Sequence, residues 1–73
     1  MDWDRIAGEW KQFSGKAKEK WGRLTEDDWM VVKGKRAQLV GKIEQRYGAA
    51  KHEAERQVAE FEKEYDRAVA RPY

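Results

Sequence analysis

Apolar side chains recur along this chain at steps of three and four. They run Trp3, Ile6, Ala7, Trp10, Phe13, Ala17, Trp21 and Leu24, then Trp29, Val32, Leu39, Ile43 and Tyr47. Such spacing puts them on one face of a helix, where a strand would need strict alternation. No Asn-Gly or Asp-Gly pair signals a β-hairpin. The final stretch, KHEAERQVAEFEKEYDRAVARPY, has no glycine and carries helix-supporting pairs: Glu53–Arg56, Glu60–Lys63, Glu64–Arg67 and Arg56–Glu60. An apolar seam continues through it as Ile43, Tyr47, Ala50, Ala54, Val58, Phe61, Tyr65 and Ala68. The pattern predicts an all-α protein whose last helix runs from about Gly41 to about Ala70, ~45 Å at 1.5 Å per residue. Shorter helices would cover only part of that length. Its distal positions Val58, Phe61, Tyr65 and Val69 are therefore expected either to form a seam for a homodimer or protein partner, or to fold back or fray.

Displaced by 26 residues, the sequence matches itself. DWDRIAGEWKQFSGKAKEKWG (2–22) lies over DWMVVKGKRAQLVGKIEQRYG (28–48), pairing Asp2/Asp28, Trp3/Trp29, Gly8/Gly34, Gln12/Gln38, Gly15/Gly41, Lys16/Lys42 and Gly22/Gly48. Helical composition alone would not bring three glycines and the aromatics into register. The expected organisation is a single domain over 1–73, with repeat units 2–22 and 28–48 and a helical extension over 49–70. The architecture expected from it is a bundle of about four helices, two packed helical hairpins followed by the long helix.

The six glycines all fall in these units. Thr25-Glu26-Asp27-Asp28 has the form of a capping box that opens a new helix, and Gly22 suits the end of the one before. Gly15 is expected to make a turn inside the first copy, the alternative being a place within a continuous helix that lets a neighbour approach closely. In the second copy, a break near Gly34 competes with one near Gly41. Gly8 and Gly34 are expected to let helices cross at short distance. A valine at Gly15 or Gly41 is expected to destabilise the fold through overpacking or a forbidden backbone angle.

Composition narrows the class. A 73-residue chain without cysteine has neither disulfide nor thiolate-metal staples, so helix packing or association must hold it together. Its 41% charged residues pull toward a highly solvated state, whereas four Trp, three Tyr and two Phe can seed a core. No apolar run nears the ~18–20 residues that span a bilayer, so membrane insertion is not expected. The N-terminus lacks a cationic then apolar signal pattern, and a cytoplasmic location is expected.

The stretches WKQFSGKAKEKWGRLT and GKRAQLVGKIEQRYGAAKHEAE resemble the CsbD-like family of small bacterial general-stress proteins. The resemblance covers residues 2 to 66 and is weakest over Asp66–Tyr73. It implies a short four-helix domain of two hairpins packed across one another, produced with the general stress response, without enzyme activity or an established ligand. The charged, glycine-bearing composition also resembles the hydrophilins, although the aromatic content departs from them.

Catalytic chemistry finds little material. His52 is the single histidine, placed off the apolar seam, and Ser14 has no motif linking it to that histidine. Glu26, Asp27 and Asp28 are read as serving a helix N-terminus rather than Mg²⁺. No cofactor or metal is expected. The sharper alternative is nucleic acid. Lys11, Lys16 and Lys18 lie in a stretch without acids, as do Lys33, Lys35, Arg36 and Lys42. These seven are candidate phosphate contacts, with Gly15-Lys16 and Gly41-Lys42 presenting backbone N–H groups and a lysine from each hairpin. The tryptophans are read as core anchors, with contact to anionic lipid as the alternative.

Overall fold

A computed structural model describes residues 3–69, apart from the side chain of Val69. Five helices follow one another: α1 Trp3–Gly8, α2 Trp10–Lys20, α3 Glu26–Val32, α4 Arg36–Tyr47 and α5 Lys51–Val69. No strand occurs among the described residues. The all-α bundle expected from the periodicity is therefore present, with its breaks in different places.

Helix α2 runs straight through Gly15, in place of the expected turn. Burial of Phe13 and Ala17 explains why, since an (i, i+4) pair shares a face only if the helix between them is unbroken. The first copy bends instead at Glu9 (φ −111°, ψ 28°). The amide of Glu9 donates to Arg5 O and Ile6 O, and Phe13 N–H donates to Glu9 O, so the ladder is bent rather than broken. The bend brings the Trp3 ring to within 5.4 Å of Phe13. In a straight helix, ten residues would hold their Cα atoms about 15 Å apart. The first copy is thus a cornered helix and not the expected hairpin.

The second copy breaks at the equivalent place. Lys33 (φ 35°) and Gly34 (φ 86°) are left-handed, and α3 and α4 form an antiparallel hairpin around them. Of the two competing sites, Gly34 makes the turn and Gly41 lies inside α4. Under the 26-residue offset, α2 maps onto the first eleven residues of α4. A Cβ at Gly34 would stand 2.6 Å from Ala7 Cβ and 2.9 Å from Ala7 Cα, so α1 crosses the turn in direct backbone contact. Around Gly8, by contrast, a Cβ would meet nothing within 4 Å, so no close crossing depends on it.

The expected continuous helix from Gly41 to Ala70 is divided at Gly48 (φ 63°), the left-handed cap of α4. Helix α5 then doubles back along α4, and Arg36 at the start of α4 reaches Glu62 Oε2 (2.9 Å) and Glu55 O (3.4 Å). This reversal disposes of the expected self-association seam. Val58 (0% exposed), Phe61 (7%) and Tyr65 (1%) belong to the chain's own core, and the Val69 side chain lies outside the described residues. Phe61 and Tyr65 meet Phe13 edge-on at 5.2 and 4.9 Å, and Phe61 meets Trp21 at 5.1 Å. Rings from α1, α2 and α5 thus close one aromatic centre, joined by Ile6, Val32, Leu39 and Ile43. Trp21 and Trp29 are buried, and Trp3 and Trp10 pack against the same core.

Mid-helix Gly15 and Gly41 are exposed, with open space where a side chain would begin, which overturns the overpacking expected there. Gly15→Ala and Gly41→Ala should each raise stability by about 0.5–1 kcal/mol, because alanine loses less backbone freedom on helix formation. Gly34→Ala should lower it by about 1–3 kcal/mol, since its φ is positive and Ala7 fills the space. Urea denaturation followed by circular dichroism separates the two signs.

Candidate functional site

The second helical hairpin is pinned by a buried carboxylate. Thr25 caps α3: its Oγ1 accepts from the Asp28 N–H at 3.1 Å, and Asp28 Oδ2 accepts from the Thr25 N–H at 2.9 Å. The capping box read from the sequence is formed, and its acids stand in the first turn of α3, where the helix dipole favours them. Asp28 is only 2% exposed, and Arg46 grips it through Nε (2.7 Å) and Nη2 (3.1 Å) while Lys42 Nζ lies 3.3 Å from Oδ1. The Arg46 guanidinium, then the Thr25 amide and Lys42, hold the Asp28 carboxyl far below its ordinary 3.8, against the opposing effect of burial.

This arrangement divides the seven candidate phosphate contacts. Lys42 is drawn onto Asp28, Arg36 onto Glu62, and Lys18 onto Glu26 at 3.0 Å. Lys11, Lys16, Lys33 and Lys35 are exposed and make no ion pair among the described residues. The two Gly-Lys pairs are therefore not equivalent: Lys16 faces solvent while Lys42 is structural. Nor are their amides offered to a ligand, because Gly15 and Gly41 sit within helices α2 and α4. Arg46, which matters more to the second copy than any lysine named, is hidden in the sequence because its equivalent in the first copy is the plain Lys20.

Between α2 and α3 lies a groove of about 250 Å³. Trp10, Ser14 and Lys18 form one wall; Glu26, Trp29, Met30 and Lys33 form the other. The indoles of Trp10 and Trp29 stand 6.1 Å apart at 51°. Met30 is 70% exposed. Ser14 Oγ donates to Lys11 O at 3.3 Å, which commits its hydroxyl to the helix. The equivalent tryptophans are treated differently. Trp3 Nε1 donates to Glu62 Oε2 at 2.7 Å, and Trp21 Nε1 donates to Gln57 Oε1 at 3.0 Å. The indole N–H of Trp29, matching Trp3, is buried and finds no acceptor among the described residues. The sequence signal for this groove lies in Trp29-Met30, an anchor followed at once by an outward apolar side chain.

Elsewhere polar groups serve the fold. Tyr65 donates to Glu9 Oε1 at 2.8 Å, and burial followed by that bond pushes its phenol up to about 12. Tyr47, paired in sequence with buried Trp21, is instead at the surface, where its hydroxyl accepts from the Arg23 N–H at 3.0 Å and closes the α2–α3 connection. No group of three or more His, Cys, Asp or Glu among the described residues is placed to hold a metal ion. No helix among them is long and apolar enough to cross a membrane.

A small all-α bundle, braced across its helices by a buried carboxylate and packed aromatic rings, is thus the class of protein in hand. Residues 4–56 match the family model described as CsbD-like. The chain is 55% identical over 62 residues to UPF0337 protein YjbJ of Escherichia coli strain K12, covering 85% of this chain and 90% of that one. It is 48% identical over 68 residues to UPF0337 protein NE2439 of Nitrosomonas europaea, covering 93% and 72%. This chain belongs to the CsbD-like family of small bacterial proteins.

Asp28 also makes the fold sensitive to acid. Because its folded pKa lies below its unfolded one, its contribution is complete above about pH 4 and is lost as pH falls below that value. Asp28→Asn, which keeps a capping oxygen but no charge, should melt at a lower temperature at neutral pH. Its melting temperature should also fall less than the parent's between about pH 4 and pH 2. Parallel pH profiles for the two proteins would contradict this role.

Proposed function

We propose that this chain is a non-catalytic, cytoplasmic stress-response protein that works by contact with other macromolecules. Membership of the CsbD-like family supports the connection with stress. The employment of its polar side chains supports the rest. Ser14 bonds its own helix, Glu26 and Asp28 serve the α3 terminus, and the remaining buried carboxylate and phenol contacts brace helices. The observation that carries the reading is which candidate cations stay exposed without an internal ion pair: Lys11 and Lys16 on α2, Lys33 and Lys35 at the α3–α4 turn. Affinity purification from stressed cells, with and without nuclease, tests it. A macromolecule recovered in proportion to the tagged chain is expected, and recovery no better than from a charge-matched control would overturn it.

Those same lysines favour nucleic acid as the second reading, through the phosphate backbone. Exposed cations without internal partners can release the counterions of a polyanion, so binding should weaken steeply with salt. Fluorescence anisotropy should give a Kd of about 10⁻⁴ to 10⁻⁶ M on mixed-sequence strands at physiological salt, and a tighter one at low salt. Lys16→Glu with Lys33→Glu should weaken it about tenfold, whereas Lys42 is unsuitable for this test because it braces Asp28. Affinity indifferent to the double substitution would remove the phosphate reading.

A further inference from the structure

We propose that the α2–α3 groove seats one unpaired base of a single-stranded nucleic acid, held against Trp10 and Trp29 with its phosphates at Lys18 and Lys33. This inference deepens the nucleic-acid reading above and rests on it, adding a base-contacting site to what would otherwise be a phosphate-only surface.

The groove combines what a base requires. The half-buried Trp10 offers a ring face for stacking, which every base satisfies irrespective of sequence. Trp10 is partly buried and fixed by its stacked contact with Phe13 at 5.5 Å, so its indole is held ready rather than mobile. Lysines from both walls, Lys18 and Lys33, supply charge complementary to the strand. Trp29 is 3% exposed, and its indole N–H lacks the acceptor that its counterpart Trp3 has in Glu62. A buried donor without a partner is an unfavourable arrangement that an incoming carbonyl or ring nitrogen relieves, after a small shift of the wall. A groove of about 250 Å³ suits one planar ring and not a duplex, which keeps its bases stacked inside. An acidic peptide would answer the lysines but would leave the aromatic walls without a ring to stack.

Glu26 opposes such a ligand. Its carboxylate, 79% exposed, occupies Lys18 Nζ at 3.0 Å and adds negative charge to the groove. The strand therefore has to displace it, and Glu26 acts as a resident competitor for the phosphate.

The test uses the full chain labelled with ¹⁵N, whose four tryptophan indole cross-peaks are assigned by single Trp→Phe substitutions. Ten-nucleotide oligo(dT) is titrated at low salt, beside inorganic polyphosphate and poly-glutamate of similar charge. The oligonucleotide should shift the Trp10 and Trp29 peaks, the latter downfield as its N–H gains an acceptor, while the bonded Trp3 and Trp21 stay in place. Polyphosphate should move only amides near the exposed lysines. Glu26→Gln, a surface change that leaves the core intact, should tighten oligonucleotide binding about two- to fivefold. Binding of oligonucleotide and polyphosphate with identical shifts would overturn the base site and leave the phosphate reading standing. Equal movement of Trp10 and Trp29 by poly-glutamate would assign the groove to an acidic peptide instead. Absence of binding by any strand would overturn both readings, and weaker binding by Glu26→Gln would overturn the competitor role.

Discussion

The structure depends on the burial of one ring. Phe13 is fully enclosed and meets Trp3, Trp10, Phe61 and Tyr65 with centroids between 4.9 and 5.5 Å. Three of these contacts are edge-on, the arrangement that places the positive rim of one ring on the negative face of another. In a chain with no cysteine and 41% charged residues, few other apolar groups could replace such a centre. The cornered first copy follows from it, since only a bend at Glu9 returns Trp3 to Phe13. So does the reversal at Gly48, which returns α5 with Phe61 and Tyr65. Polar tips of the same aromatics are tied outward, Trp3 to Glu62 and Tyr65 to Glu9, so the rings are oriented as well as buried.

A second anchor lies at the other end of α3, where Asp28 gathers the Thr25 amide, Arg46 and Lys42. A buried charge pair gives uncertain net stability against an apolar alternative, but an unpaired partner is strongly unfavourable. Register is the more secure consequence. With α3 and α4 locked at their far ends by Asp28 and at their near ends by the Gly34 turn, the hairpin has one alignment, which fixes where Trp29 and Met30 face α2. The groove is thus shaped by a carboxylate that never lines it.

Much of this is legible in the residues. The helical period names most core positions, and Thr25 through Asp28 announce a helix start because capping is local chemistry that needs no tertiary partner. The breaks are harder. Gly15 and Gly34 look alike in sequence, and what separates them is tertiary: Phe13 and Ala17 need an unbroken helix, while Ala7 presses on Gly34. The seam through Val58, Phe61 and Tyr65 is apolar as the period indicates, but what covers it is the chain itself. Gly48 is the signal that decides this, since one left-handed residue turns a long rod into a helix lying on its own chain. The lysines cannot be sorted at all without coordinates, because Lys16 and Lys42 differ only in whether a buried Asp28 is near.

The ties between α1, or the bend at Glu9, and the far part of α5 join positions distant in sequence: Trp3 with Glu62, Glu9 with Tyr65 and Arg5 with Asp66 are separated by 59, 56 and 61 residues. Order of synthesis therefore matters to this molecule. Helices α2 to α4 can coil as they are made, yet Phe13 has only Trp3 and Trp10 against it until Phe61 and Tyr65 have been added. Loop closure over such a span is entropically slow compared with coiling. A nascent chain of this protein is consequently stickiest until residues 61 to 66 have been added, and its maturation is a single late event, the latching of α5 onto α1.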